Sequence, residues 1–325
     1  MSSAIVFTEY GGPEVLRLVD AEPPAPAAGQ VRIRVHAAGL QPADSLLRSG
    51  RFRTFMPARF PQRVGNELAG VVEAVGPDVD GWQIGAAVLG PAAAPGAHAE
   101  YALADAAQLV AKPADLPWSQ AGALSASGQT AATCLFDLGI GEGGGNGEGV
   151  GKNIGEGDTV LIHGAAGGVG SMAVQIAAAR GARVIGTASE RNHEFLRDLG
   201  AVPVVYGPGL AERVRQALGA AAGSTPVDAA FDTAGTDDAL SASVELVADR
   251  SRIGTVAAAA DVERYGIRRL STRRSAEQLR SLVALTEAGR LKVSVQQTFT
   301  LEQAVEAYKE LDGGHVRGKL VFVMP

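Results

Sequence analysis

The sequence predicts an α/β protein in two parts, a β-rich barrel-like domain and a doubly wound parallel sheet. Three observations carry this prediction. Short alternating stretches broken by glycine fill residues 1–125, and apolar strand-length runs alternate with helix-length segments from residue 126 onward. Residues 159–189, TVLIHGAAGGVGSMAVQIAAARGARVIGTAS, set strand, glycine turn, helix and strand in one continuous unit. A length of 325 residues fits about two domains.

In chain order, residues 30–37 alternate, with Val31, Ile33 and Val35 on one face and Arg32, Arg34 and His36 on the other, as a half-exposed strand requires. Residues 68–75 and 101–110 read as further strands, separated by glycines. The parallel sheet is expected from strands at 160–163, 183–187, 203–205, 229–232 and 252–256. Between the first two, a helix follows the glycine turn, with Val169, Ala173, Ile176 and Arg180 along one side and Gly181 as its stop. A helix over 275–289, a strand over 293–298, a helix from Leu301 and a last strand over 319–323 are expected to rejoin the first part. The division is therefore 1–125 with 269–325, and 126–268. Residues 139–158, GIGEGGGNGEGVGKNIGEGD, cannot bury enough apolar surface to order themselves and read as a mobile surface loop, with a functional lid as the alternative.

The glycine turn carries the chemistry. Gly164, Gly167, Gly168 and Gly170 let main-chain N–H groups approach a pyrophosphate at a helix N-terminus, which points to a nicotinamide or flavin nucleotide. The end of the second strand selects among them. Ala188, followed by the Ser189 hydroxyl and the Arg191 guanidinium, leaves room for a 2′-phosphate and favours NADPH. The alternative makes Ser189 a helix cap, Arg191 a solvated side chain and Glu190 the ribose ligand.

Composition excludes several classes. A net charge of −6 gives no general affinity for nucleic acid. The cluster Arg268, Arg269, Arg273, Arg274 and Arg280 reads as a solvated helix start, with contact to an anionic substrate or RNA as the alternative. Neither an apolar run of membrane-spanning length nor a signal-like N-terminus is present, so a cytoplasmic location is expected. The single cysteine, Cys134, reads as a small buried hydrophobe rather than a nucleophile. The five histidines show no ligand spacing, and His163 reads as structural.

Five stretches, YGGPEVLRL, VHAAGLQPADSLLRSGRF, GNELAGVVEAVG, HGAAGGVG and GHVRGKLVF, together resemble the zinc-independent quinone oxidoreductases of the medium-chain dehydrogenase/reductase superfamily, the group that contains zeta-crystallin. The resemblance implies a GroES-like first domain, a Rossmann second domain and NADPH-dependent reduction of quinones or of α,β-unsaturated carbonyls. Zinc alcohol dehydrogenases of the superfamily carry Cys and His ligands where this chain has Gln41 and Asn66, so the resemblance implies hydride transfer without a metal. It further implies Ala166, Gly167, Gly168 and Val169 on the pyrophosphate, and Ser189, Arg191 and Tyr206 around the adenosine phosphate. Thr130, near the start of a helix from Gly128, would border the nicotinamide with Thr255, Val256 and Ala257. Lys319 would be a late contact near the cofactor. Tyr206 and Lys319 also read as packing or capping residues.

Gln41, Phe52 and Arg53 are the expected substrate-pocket residues. Family members usually have Asn in place of Gln41, and many have Tyr in place of Phe52, which cannot donate a hydrogen bond to a carbonyl. Asp44 reads as a helix-start residue paired with Arg48. The substrate is thus a small-molecule quinone, with an enone of secondary metabolism or a non-catalytic NADPH- or RNA-binding role as alternatives. A homodimer is expected through sheet edges, with residues 252–260 as the joining segment.

Overall fold

The computed structural model describes residues 2–140, 155–257 and 261–325. The body of the glycine-rich stretch, 141–154, and the end of the expected dimer segment, 258–260, lie outside the described residues. The chain divides into two compact units: Met1–Ser127 with Arg274–Ala288 and Val293–Pro325, and Gly128–Arg273 with Gly289–Lys292.

The first unit is built on the Gln30–Gly39 strand. Its alternation holds, since Val31, Ile33, Val35 and Ala37 are fully buried. That strand pairs antiparallel with Glu67–Val75, Tyr101–Asp105 and Lys319–Val323 within a seven-stranded sheet. Gly70 is required where two strands close on each other, because a Cβ there would lie 2.1 Å from Arg34 O. A three-stranded sheet of Leu16–Ala21, Ser2–Phe7 and Gln62–Arg63 adds Ile5, Phe7 and Leu16 to the same core. The strand expected over 101–110 stops at Asp105. Gln30, its last partner, opens the neighbouring strand, so the ladder runs out and Ala106–Gln108 turns. Trp82 Nε1 donates to Ala106 O at that turn, and Val110–Ala111 pairs separately with Val88–Leu89.

The second unit is a six-stranded, all-parallel sheet in the order Ala201–Val205, Arg183–Ala188, Thr159–His163, Ala229–Asp232, Ile253–Thr255, Arg268–Arg269. The chain runs outward from Thr159–His163 on one side and then returns to its other side, which makes the carboxyl end of that strand the switch point where ligands bind in such sheets. The Gly168–Ala179 helix is buried on nearly every side from Gly170 to Ala177 rather than along one stripe, and Arg180 lies beyond its last turn.

Three expectations change here. Ile253–Thr255 has a strand on each side, so the segment proposed for dimer contact is interior and not a sheet edge; the described edges are Ala201–Val205 and Arg268–Arg269. The arginine cluster is a solvated helix start only at Arg274 and Arg280, which are exposed and flank the first turn of the Ala276–Glu287 helix. Arg268 and Arg269 form a strand, Arg268 donates to Asp137 O, and Arg273 grips the Asp137 carboxylate at 2.9 and 2.5 Å. That pairing also carries the second unit past 268, to Arg273.

Cys134 is buried in the Ser125–Asp137 helix, and burial, with the nearby Asp137 carboxylate, pushes its thiol up to about 12. A thiol so far from ionising is a poor nucleophile. Iodoacetamide should therefore leave Cys134 unmodified in the native protein and alkylate it only after denaturation, as read by intact mass.

Candidate functional site

At the carboxyl end of Thr159–His163 the chain turns sharply at Gly164, whose φ is 66° and whose missing Cβ would lie 2.6 Å from Thr233 Oγ1. Thr233 Oγ1 donates to His163 O, and Gly167 N to Gly164 O at 3.0 Å, which closes the turn. Gly170 packs on it so closely that a Cβ would lie 2.2 Å from Gly164 O. Ser171 N donates to Gly167 O, so the preceding amides of Gly168, Val169 and Gly170 form the open first turn of the helix. Gly167, Gly168 and Val169 are half-buried, and a Cβ on Gly167 would meet only Gly164 O, at 3.4 Å. Open backbone donors and a vacant side at Gly167 form a cradle that fits a diphosphate.

Register carries the other expected cofactor residues to the same rim. Ala188 pairs with Val205, so Ser189 and Tyr206 follow side by side at the ends of adjacent strands. Ser189 caps the Glu190–Asn192 turn through its backbone, its side chain making no cap bond and accepting instead from Asn192 Nδ2 at 3.3 Å. Glu190 and Arg191 are exposed, and Tyr206 is 53% exposed. On the other side, Thr255 Oγ1 donates to Asp232 Oδ2 at 2.6 Å and accepts from Ala257 N at 3.0 Å. Val256 N reaches Asp232 O. Asp232 also accepts from Ala234 N and Gly235 N, so one buried carboxylate ties two neighbouring strand ends together. Sequence reading did not single out Asp232. Its signal was an acid closing the apolar run AAF.

His163 lies behind the turn, fully buried. Ser243 Oγ donates to Ala239 O and therefore accepts from His163 Nε2 at 2.9 Å, which leaves Nδ1 to accept from Thr187 Oγ1. The ring is neutral and structural, with burial lowering its pKa to about 4. Thr130 sits in the second turn of a helix that begins at Ser125, not Gly128, and its hydroxyl shares a 2.7 Å hydrogen bond with Thr272.

The first unit contains a second constellation, a buried polar cluster. Gln41 N donates to Asp44 Oδ2 at 2.9 Å and Asn66 Nδ2 to Asp44 Oδ1 at 2.6 Å. Asp44 thus spends its carboxylate on the helix start and on Asn66, and does not pair with Arg48. The Arg48 guanidinium instead bonds Asp312 at 2.6 Å and lies over Tyr308. Full burial raises Asp44 to about 7. Gln41 Nε2 donates to Glu67 Oε1. Lys319 is 3% exposed, and its three donors go to Leu40 O at 2.9 Å, Glu67 Oε1 at 3.0 Å and Ser127 Oγ at 3.4 Å. An ammonium has only three N–H bonds, so Lys319 has none left for a cofactor, contrary to the contact expected from sequence. Glu67 and Ser127 were missed. The legible signal was a pair of opposite charges opening two otherwise apolar strands, ELAGVV and KLVFV. Phe52 is half-buried with its ring 4.5 Å from that of Phe55, and Arg53 is exposed. Among the described residues no group of three or more His, Cys, Asp or Glu side chains is placed to hold a metal, and no helix is long and apolar enough to cross a membrane.

Residues 27–114 match the model of the alcohol dehydrogenase GroES-like domain, and residues 199–322 that of zinc-binding dehydrogenases. The chain is 37% identical over 200 residues to a quinone oxidoreductase of Mus musculus, covering 61% of this chain and 56% of that protein. It thus spans about half the length of the first curated relatives it matches. It is 31% identical to a quinone oxidoreductase of Pseudomonas aeruginosa over 99% of this chain and 100% of that one. The solved structure of an Escherichia coli quinone oxidoreductase complexed with NADPH superposes with a TM-score of 0.84 at 26% identity, over 99% of this chain and 100% of that chain.

Proposed function

Because the chain belongs to the zinc-independent quinone oxidoreductase family of the medium-chain dehydrogenases/reductases, with the GroES-like and Rossmann halves of that family, we propose that it reduces quinones with NADPH. The carrying observation is the Gly164–Gly170 turn, which leaves open backbone donors and a vacant Gly167 side at the switch point of the sheet. NADPH, when bound, supplies a hydride to an electron-poor carbon conjugated to a carbonyl. In this reading Ala166, Gly167, Gly168 and Val169 lie on the diphosphate, which the open amides of Gly168, Val169 and Gly170 hold, while Ser189, Arg191 and Tyr206 receive the 2′-phosphate end. Thr130 and Thr255 to Ala257 border the nicotinamide. On the first unit, Gln41, Phe52 and Arg53 receive the electrophile. Hydride plus one proton from water converts quinone to hydroquinone, so neither a bound metal nor a Tyr acid at Phe52 is needed. A homodimer in the cytoplasm completes the reading.

NADPH absorbance decay with 1,4-benzoquinone, 9,10-phenanthrenequinone and a simple enone, with NADH in parallel, tests it. Quinone turnover specific to NADPH is expected. Faster enone turnover would move the assignment to alkene reduction, and NADPH binding without turnover would make the protein a non-catalytic binder. Arg191→Ala removes a charge-assisted contact and is expected to raise KM for NADPH roughly tenfold while leaving that for NADH unchanged. Equal effects on both cofactors would remove Arg191 from the 2′-phosphate site.

A further inference from the structure

We propose that Glu67 and Lys319 are positioning residues that set the orientation of the Gln41 side-chain amide, so that its second N–H serves as donor to the carbonyl oxygen of the electrophile. The inference rests on the reductase reading of Gln41 and goes beyond it. Glu67 and Lys319 open two strands that both flank Gln30–Gly39, and their side chains are 0% and 3% exposed, with N and O 3.0 Å apart. A buried ion pair is a weak source of stability, so its retention in this core calls for another role.

The hydrogen-bond pattern supplies that role. Glu67 Oε1 faces both Lys319 Nζ and the Gln41 amide, while Oε2 accepts from Ala126 N at 2.7 Å. A carboxylate can only accept, so the nitrogen end of Gln41 must face it. Lys319 also donates to Ser127 Oγ, which leaves the Ser127 hydrogen for Gln41 Oε1 at 3.5 Å. Four side chains therefore form a closed ring in which every donor has a defined direction, and the amide cannot flip without setting its oxygen against the carboxylate. Room for this ring depends on Gly39, where a Cβ would lie 2.4 Å from Glu67 Oε1.

Charge explains why both partners are needed. Hydride arrival leaves negative charge on the carbonyl oxygen, and a fixed donor stabilises it most where water is excluded. A Glu67 carboxylate behind that donor would oppose the new charge were Lys319 not beside it.

The test compares Lys319→Met, Glu67→Gln/Lys319→Met and Gln41→Ala, alone and in the double background, by NADPH binding and by quinone kcat. Lys319→Met is expected to lower kcat roughly a hundredfold, the scale of losing one fixed donor, with the Kd for NADPH unchanged. Removing the carboxylate as well lifts the uncompensated charge and should recover most of that loss, and Gln41→Ala in that background should forfeit the recovery. The double variant also carries the test if Lys319→Met alone fails to fold. Weakened NADPH binding with kcat preserved, or a Gln41→Ala change without cost to kcat in either background, would overturn the proposal. A wild-type protein without turnover on any acceptor would instead remove the reductase reading. In that event the Gln41 side-chain amide resonances in glutamine-labelled protein still decide, since the ring requires protons slow to exchange in wild type and fast in the double variant. Equal exchange in both would sink it.

Discussion

A Gly170→Ala variant should lose NADPH binding by at least about a hundredfold and be less stable by roughly 1–3 kcal/mol, the cost of forcing a methyl into packed backbone. The added Cβ would lie 2.2 Å from Gly164 O and 2.8 Å from Ala165 Cα, both main-chain atoms that cannot swing aside. Relief requires opening the turn, and the turn aims the helix amides. Gly167→Ala makes the informative partner. Its methyl meets only Gly164 O, at 3.4 Å, so stability should hold while the methyl occupies the side left open for a diphosphate. Cofactor titration and thermal melts on both variants separate the two effects. Unchanged binding in both would place the cofactor elsewhere.

Stability should fall steeply as pH drops from about 6.5 to about 4. His98 and His163 are fully buried, and burial lowers both to about 4 from 6.5. The folded pKa lies below the unfolded one, so the unfolded chain binds more protons within that window and stability is lost as pH falls through it. Two and a half units correspond to on the order of 3 kcal/mol for each histidine by the time both states are protonated. Neither ring has a ready place for a second proton: His98 Nε2 faces Gly39 O and Nδ1 faces the Tyr308 hydroxyl at 3.0 Å, while His163 lies between Ser243 and Thr187. Asp44, raised to about 7, has the opposite sign. It binds its proton in the folded state across roughly pH 4 to 7, so its contribution declines as pH rises and offsets part of one histidine. Urea denaturation across this range should show a shallower pH slope for His163→Gln and a steeper one for Asp44→Asn. Slopes matching wild type in both would remove these groups as the origin.

The family, the parallel sheet and the phosphate turn were legible in the chain because their determinants are local. Glycine spacing in GAAGGVG, apolar runs of strand length and the alternation of Val31, Ile33 and Val35 each follow from one stretch of backbone. Ala229–Asp232 and Lys319–Val323 could even be bounded to the residue, each starting just after a strand-breaking neighbour, Asp228 or Gly318. The joining segment 252–260 was misplaced as an edge for a different reason: which strand lies outermost depends on Arg268–Arg269 adding beyond it, and two residues leave no periodicity to read.

Sequence by itself determined the class of fold and the backbone cradle for a dinucleotide, because those rest on φ, on missing Cβ atoms and on periodicity. Only tertiary structure decided the partners of its charges. Asp44 and Arg48 stand one turn apart, yet the first serves Gln41 and Asn66 and the second reaches Asp312 across 264 residues. Lys319, legible only as a late-chain cation, finds Glu67 252 residues away. Coulomb and hydrogen-bond partners are set by proximity in space, and burial sharpens that choice, since a buried donor or carboxylate must take whatever complementary group the packing places beside it.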